Sequence, residues 1–368
     1  MENNIKHVEI EFGYGKSFFD EGKMHKAMDS FLKVIEIAPD HPKANLYLGK
    51  IHAKRKEHDE AIRFFRASSL DEAILAEALC LEKKEDYFTS LSRYNQLVKS
   101  ETTEKDIAAE AHYHIGVYYD EGLGPVLKDP NKAIECYQQS KTALAYYNMA
   151  QLYEEMDDTN KAIEAYKKAG ELGEGDAYYN LGIYFDNKKM KKEALETYRK
   201  GAEECNHVDC AYAYAVSLDD EGDGEQARQF YEIAAKQGYD DAQYNLAVIE
   251  ESSKNYREAK KYYELAAAQG HVQALYNIGV AYDEGSCGYP QNYNKAFLYY
   301  NRAANLGSAD AYFNMGVLFQ EGQGVDVDFK LAVDALKKAH DLGHPRALLQ
   351  IGSIMYGSEA NMKKAVSK

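Results

Sequence analysis

Residues 240–271 read DDAQYNLAVIEESSKNYREAKKYYELAAAQGH. In the first half, Ala242, Leu246, Ala247 and Ile249 recur at helical spacing. In the second half, Ala259, Tyr262, Tyr263, Ala266 and Ala267 do the same. The polar run Ser252-Ser253-Lys254-Asn255 between them predicts a turn. The segment therefore reads as a helical hairpin. Gly270 stands where a helix C-terminus takes a left-handed residue, because glycine has no Cβ to clash there.

This unit recurs. Ala145 and Ala162 stand 17 residues apart, as do Ala177 and Ala194, Cys210 and Ala227, Ala242 and Ala259, and, nearer the N-terminus, Ala44 and Ala61. Eleven residues beyond the second small residue comes glycine: Gly173, Gly238, Gly270, Gly307, Gly343. Four more reach the next alanine, so the period is 32 to 37 residues. A fixed period of this length signals a stacked array of one supersecondary unit. Alanine at the contact lets two helix backbones approach closely. One such hairpin cannot bury its apolar face alone, so stability must come from its neighbours.

The pattern resembles the tetratricopeptide repeat. Gly15, Phe18, Ala27, Phe31 and Pro39 fall at that family's spacing, and Gly49, Ala61 and Phe65 continue it. Three later units resemble the longer Sel-one-like variant: Ala111 to Ala133 and Ala274 to Ala296 are 22 apart, Ala311 to Ala332 is 21. Their extra residues sit in glycine-containing loops, such as 120–133 and 320–332. The resemblance implies an all-α, right-handed superhelical solenoid of roughly ten helix-turn-helix repeats. Two clear repeats occupy 8–75, and 71–99 reads as a helical but degenerate third. The polar run 99–106 is a linker or only a long loop, which divides the chain into an N-terminal array, 1–99, and a longer one, 107–368. A last repeat starts at His344, and Lys364-Ala365 matches the start of its second helix.

The formal charge of −16 disfavours nucleic acid, which needs clustered Lys and Arg. No apolar run approaches a membrane span, and MENNIKHVEIEF lacks a signal-peptide core. The five cysteines, Cys80, Cys136, Cys205, Cys210 and Cys287, fit reduced thiols. A cytoplasmic or nucleocytoplasmic location is the expectation. Gly15-Lys16-Ser17 lacks the glycine that a phosphate loop needs five residues earlier, where Ile10 stands. Asp219, Glu221, Asp223 and Gly224 begin like a calcium loop, but Phe230 replaces the closing Glu. Cys205, His207 and Cys210 fall one short of a structural zinc set. No catalytic constellation appears, so the expectation is a non-enzymatic chain with no metal and no cofactor.

The resemblance places the first helix of each hairpin on the concave face. Three residues after the first small residue comes asparagine: Asn148, Asn180, Asn245, Asn277, Asn314. One residue earlier comes an aromatic: Tyr147, Tyr179, Tyr244, Tyr276, Phe313. A column of amides can pair with an extended peptide backbone, as in the asparagine ladder of peptide-holding members of the family; it can equally pack adjacent helices. Thirty-two tyrosines and no tryptophan suggest that Tyr fills much of the inter-helix core. Acids gather near the ends of these helices, among them Asp283, Glu284 and Glu321, at the unfavourable end of the helix dipole. An acidic rim would attract a basic segment. The Lys/Arg clamp by which some relatives hold acidic chaperone tails has no counterpart. The expected function is a scaffold or adaptor binding an extended, net basic peptide segment of a partner protein along the concave face. The alternative is a structural subunit of a larger assembly that uses its convex face and ends.

Overall fold

The structure is a computed structural model that describes residues 2–366, with side-chain surroundings given for 4–356. Among the described residues there are 21 helices and no strand. They pair in order. The first unit, Met1–Leu181, holds α1 (Glu2–Asp20) with α2 (Met24–Ile37), α3 (Pro42–Lys54) with α4 (His58–Arg66), and α5 (Asp71–Lys83) with α6 (Tyr87–Lys99). It continues with α7 (Lys105–Glu121) and α8 (Pro130–Ser140), then α9 (Ala143–Glu155) and α10 (Thr159–Glu171). Helix α11 (Gly175–Asn187) carries the boundary. The second unit, Gly182–Lys368, holds α12 (Lys191–Glu204), α13 (Val208–Asp220) with α14 (Gly224–Lys236), and α15 (Asp240–Ser252) with α16 (Tyr256–Ala268). Then come α17 (Val272–Glu284) with α18 (Tyr293–Asn305), α19 (Ala309–Glu321) with α20 (Phe329–Asp341), and α21 (Ala347–Val366). The all-α helical-repeat class implied by the period is the observed one.

The periodic alanines are the contact points. Ala44, Ala145, Ala242, Ala274 and Ala311 on first helices, and Ala27, Ala61, Ala227 and Ala259 on second helices, are completely buried. Five residues beyond the first-helix alanine is a notch. There Gly49 faces the ring of Phe65, Gly116 that of Tyr137, Gly182 that of Tyr198, and Gly279 that of Tyr300. A Cβ on any of these glycines would lie 2.2 to 2.6 Å from the ring. Each ring stands four residues beyond its own helix's alanine, so one short motif supplies the knob and another the hole. Gly15 serves Phe31 in the same way, which accounts for a residue that mimics a phosphate loop in sequence. At the junctions between hairpins, Gly270 has φ 92°, a conformation side chains resist.

The degenerate stretch 71–99 forms an ordinary hairpin, α5 and α6. Residues 100–104 make a short connection, and Leu75, Leu91, Tyr94 and Leu97 on one side share a hydrophobic cluster with Ala111, Ile115 and Tyr118 on the other. At the C-terminal end, α21 runs unbroken through Lys364 and Ala365, where the sequence suggests a new helix.

The three long loops close alike. The amide of Asp129 donates to the Tyr119 carbonyl at 2.7 Å, that of Asn292 to Tyr282 at 2.7 Å, and that of Asp328 to Phe319 at 2.9 Å. The same three side chains cap the next helix by accepting from its first turn. Each loop also rests a glycine on the first residue of the preceding hairpin's second helix. Gly124 lies on Tyr87, Gly288 on Tyr256, and Gly324 on Tyr293.

Candidate functional site

The first-helix aromatics and asparagines do share one face, and both columns are half-buried between successive hairpins. In the first unit, Asn148 Nδ2 donates to the Tyr137 hydroxyl at 3.2 Å, and Asn180 Nδ2 to the Tyr147 hydroxyl at 3.0 Å. In the second, Asn277 donates to Tyr263 at 3.3 Å and Asn314 to Tyr276 at 3.4 Å. Asn245 acts likewise on Tyr231, where it opposes the rise in phenol pKa that burial imposes. Each asparagine thus reaches back to the hairpin before it. Tyr147, Tyr179, Tyr244 and Tyr276 are half-buried, whereas Phe313 is buried beneath His344.

Two of these hydroxyls, those of Tyr137 and Tyr263, donate in turn to acids, as do the equivalent second-helix tyrosines Tyr166, Tyr198 and Tyr300. Tyr137 donates to Asp120 at 3.2 Å, Tyr166 to Glu154 at 2.8 Å, Tyr198 to Asp186 at 2.8 Å, Tyr263 to Glu251 at 2.6 Å and Tyr300 to Asp283 at 3.0 Å. Every one of these acids stands nine residues after its first-helix alanine. A hydroxyl offers one proton and two lone pairs, so this relay of amide, phenol and carboxylate satisfies both ends of it. Burial pushes the pKa values of Tyr137, Tyr166, Tyr263 and Tyr300 up, and the neighbouring carboxylate adds to the rise. These phenols stay protonated and keep donating at any ordinary pH. Burial also raises the pKa of Asp120, against the bond from Tyr137.

The relay explains the ninth-position acids at the wrong end of the helix dipole. Asp283, expected on an acidic rim, is a half-buried acceptor for Tyr300, while Glu284 and Glu321 are exposed. The sequence itself carries the correlation. Where the knob is Tyr, the ninth residue is Asp or Glu; where it is Phe31, Phe65 or Leu336, that residue is Phe19, Ala53 or Gln320.

A second feature lies outside the positions expected from the repeats. In the first unit, a cleft of about 940 Å³ runs along the first helices α3, α5 and α7. Its floor is apolar, with Leu75, Leu79 and Ile107, and its walls carry Asp71, Glu72, Glu104, Asp106 and Glu110. Two lysines, Lys43 and Lys50, line one side, and Lys50 is paired with Glu72 at 2.5 Å. The remaining four carboxylates face the cleft with no ion pair among the described residues. Repeat spacing did not reveal this cleft, because its middle hairpin is the degenerate one.

Cys210 is fully buried at its small-residue position, and its amide donates to His207 Nδ1 at 3.3 Å, a helix cap. No group of three metal-ligating side chains gathers among the described residues. No helix among them is long and apolar enough to cross a membrane.

Family profiles fit the chain along most of its length. The Sel1 repeat matches residues 109–142, 208–239, 240–271, 272–308 and 309–344. Tetratricopeptide repeat profiles match 12–72, 143–172 and 175–205. Among solved structures, the chain resembles c5321, a protective antigen present in uropathogenic Escherichia coli strains that displays an SLR fold. That likeness has a TM-score of 0.60 at 21% identity and covers 95% of this chain and 80% of that one. It also resembles a Sel1 repeat protein from Oxalobacter formigenes, with a TM-score of 0.53 at 22% identity, covering 91% and 90%. At these identities the likeness speaks to fold alone. No curated protein matches the chain in sequence.

Proposed function

Because the chain belongs to the tetratricopeptide and Sel1-like repeat family, whose members are generally non-enzymatic scaffolds for protein–protein interaction, we propose that it is an adaptor holding an extended, net basic segment of a partner protein along its first helices. The observation that carries the reading is the cleft along α3, α5 and α7, with its apolar floor and four carboxylates outside any ion pair. An extended segment with alternating apolar and basic side chains would bury the first kind on Leu75, Leu79 and Ile107 and present the second to the acids. Such charge complementarity steers association and sets salt dependence. The exposed Glu284 and Glu321 extend the same preference to the second unit.

In this reading the asparagine column has two uses. Each amide spends one N–H on a tyrosine, which leaves a second N–H and the carbonyl oxygen for a peptide backbone. A location in the cytoplasm or nucleocytoplasm belongs to the same proposal. The alternative, a structural subunit that works through its outer face and ends, draws support from the engagement of the asparagines in packing. Affinity capture from native lysate with mass spectrometry, followed by titration of the captured partner against cleft variants, tests the reading. A partner that binds equally well after Asp71, Glu104 and Glu110 are changed to amides would overturn it.

A further inference from the structure

We propose that the first-helix face of the second unit binds a partner segment in the polyproline II conformation, with an apolar residue at every third position and a basic residue beside it. This rests on the adaptor function proposed above and names the occupant that these helices select.

On α17 the residues two, six and ten beyond Ala274 are Tyr276, Val280 and Glu284, and on α19 those beyond Ala311 are Phe313, Val317 and Glu321. Steps of four put each trio on one helical stripe. Valine recurs at the middle place on α13 and α15, as Val216 and Val248, and the outer place holds Asp220 on α13 and Ser252 on α15. All four valines are half-buried, whereas Asp220, Glu284 and Glu321 are exposed and form no ion pair among the described residues. Side chains tie the neighbouring first helices together. His271 Nε2 at the start of α17 lies 3.0 Å from Asp241 of α15, and Asn314 of α19 donates to the Tyr276 hydroxyl of α17. The result is a row of valines that crosses the helices, with aromatic side chains along one margin and acids along the other.

The step between helices decides which backbone can follow this row. Helices packed side by side lie about 8–10 Å apart. A β-strand returns a side chain to the same face every ~6.6 Å, two residues at about 3.3 Å each, and falls out of step by the second helix. A polyproline II helix returns one every third residue, ~9.3 Å at about 3.1 Å each, so one turn spans one hairpin. Its backbone makes no internal hydrogen bonds. Asn277 and Asn314 each give one N–H to a tyrosine, and each amide has a second donor and an acceptor to offer such a backbone. An α-helical ligand has already spent those groups within itself. With one residue per turn on the valines, the other two flank the row. One meets Glu284 or Glu321, which calls for Lys or Arg. The other meets the half-buried rings of Tyr244 and Tyr276, which suit proline, as in other aromatic-lined polyproline sites.

Fluorescence anisotropy of the full chain with three labelled synthetic peptides tests this. One repeats Val-Pro-Lys over about 12 residues, four turns of polyproline II. The second has the same composition in permuted order, and the third alternates Val and Lys over the same length. The repeating peptide should bind roughly tenfold tighter than either, and more weakly as salt rises. Changing Val248, Val280 and Val317 together to threonine keeps their shape, removes the apolar row and should weaken that peptide roughly tenfold. Glu284→Gln with Glu321→Gln should remove most of its salt dependence, and circular dichroism verifies that both variants fold. Equal affinity for the three peptides, binding of none, or indifference to both sets of changes would overturn the proposal. The amide variants of Asp71, Glu104 and Glu110 keep the two claims apart. A captured partner that responds to them, beside peptides bound without preference, leaves the adaptor function standing and removes the period of three. A peptide preference that survives while the captured partner ignores them does the reverse.

Discussion

The imidazole of His344 lies flat on the ring of Phe313, with centroids 4.1 Å apart and planes 19° apart. His344 is buried, its Nδ1 has no hydrogen-bond partner among the described residues, and its Nε2 lies 3.4 Å from Asp310. Burial holds its pKa below the ordinary value, with Asp310 opposing and Arg346 reinforcing the shift. Unfolded, the ring titrates near about 6.5. The folded chain takes up this proton only at lower pH, so the unfolded state binds more protons in that window. Stability contributed here is complete above about pH 6.5 and is lost as pH falls below it. Thermal melts from pH 7.5 to 5.5 should show a smaller drop in Tm for His344→Phe, which keeps the stack without the charge, than for the unaltered chain. An identical drop in both would assign the pH dependence to other groups.

Replacing Asn245, Asn277 and Asn314 together by alanine should lower stability. Each change removes one donor to a half-buried hydroxyl, and such bonds contribute roughly 0.5–1.5 kcal/mol, so the total is about 1.5–4.5 kcal/mol. A melt beside a titration of the captured partner separates packing from ligand binding. Earlier melting with normal affinity would confine the column to packing; a tenfold or larger loss of affinity in the folded variant would give it the second use proposed above.

Glycine to alanine should have opposite signs at two places. Gly49→Ala sets a Cβ 2.4 Å from the Phe65 ring and should destabilise by about 1–3 kcal/mol, the usual penalty for overpacking. Gly224→Ala, at the first position of α14 with nothing within 4 Å, should stabilise by up to about 1 kcal/mol through helix propensity. Denaturant midpoints of the two variants measure both. Equal effects would contradict the notch.

Changing Asp71, Glu104 and Glu110 to their amides should slow association with a basic segment more than it speeds dissociation. The unaltered chain should bind more weakly as salt rises. Stopped-flow association at low and high ionic strength reads both effects, and a rate indifferent to salt would remove the acidic cleft from the account.

Limited proteolysis should cut first in the exposed connection 100–104 and not inside 145–344. Because Leu97 and Ala111 belong to one cluster across that connection, the two fragments should stay associated after the cut.

Much of this fold was legible because packing imposes its period on small residues. Ala145, Ala242 and Ala274 mark helix contacts in sequence because nothing larger fits there. Their neighbours at the third and ninth positions were harder to read. Asn277 and Asp283 look like groove residues, since spacing tells which helical face they occupy but not that the next hairpin closes over it. The missed signal was the pairing of a tyrosine knob with an acid nine residues after the alanine, and of Phe31 or Leu336 with none. The cleft of α3, α5 and α7 escaped for a different reason: its middle hairpin, which brings Asp71, Glu72, Leu75 and Leu79, is too degenerate to align.

The long loops carry a consequence for how such arrays evolve. Gly124, Gly288 and Gly324 rest on Tyr87, Tyr256 and Tyr293, and among the described residues tyrosine opens a second helix only in these three hairpins, each directly ahead of a long loop. A hairpin therefore specifies something about its successor. Transplanting α17–α18 to follow α10, which opens on Thr159, would strand its loop without the seat it was shaped for. The repeats behave less like interchangeable beads than like words under a rule of order: α7–α8 duplicated alone would set its long loop behind a helix that opens on Pro130, whereas duplicated together with α5–α6 it would keep Tyr87 beneath that loop.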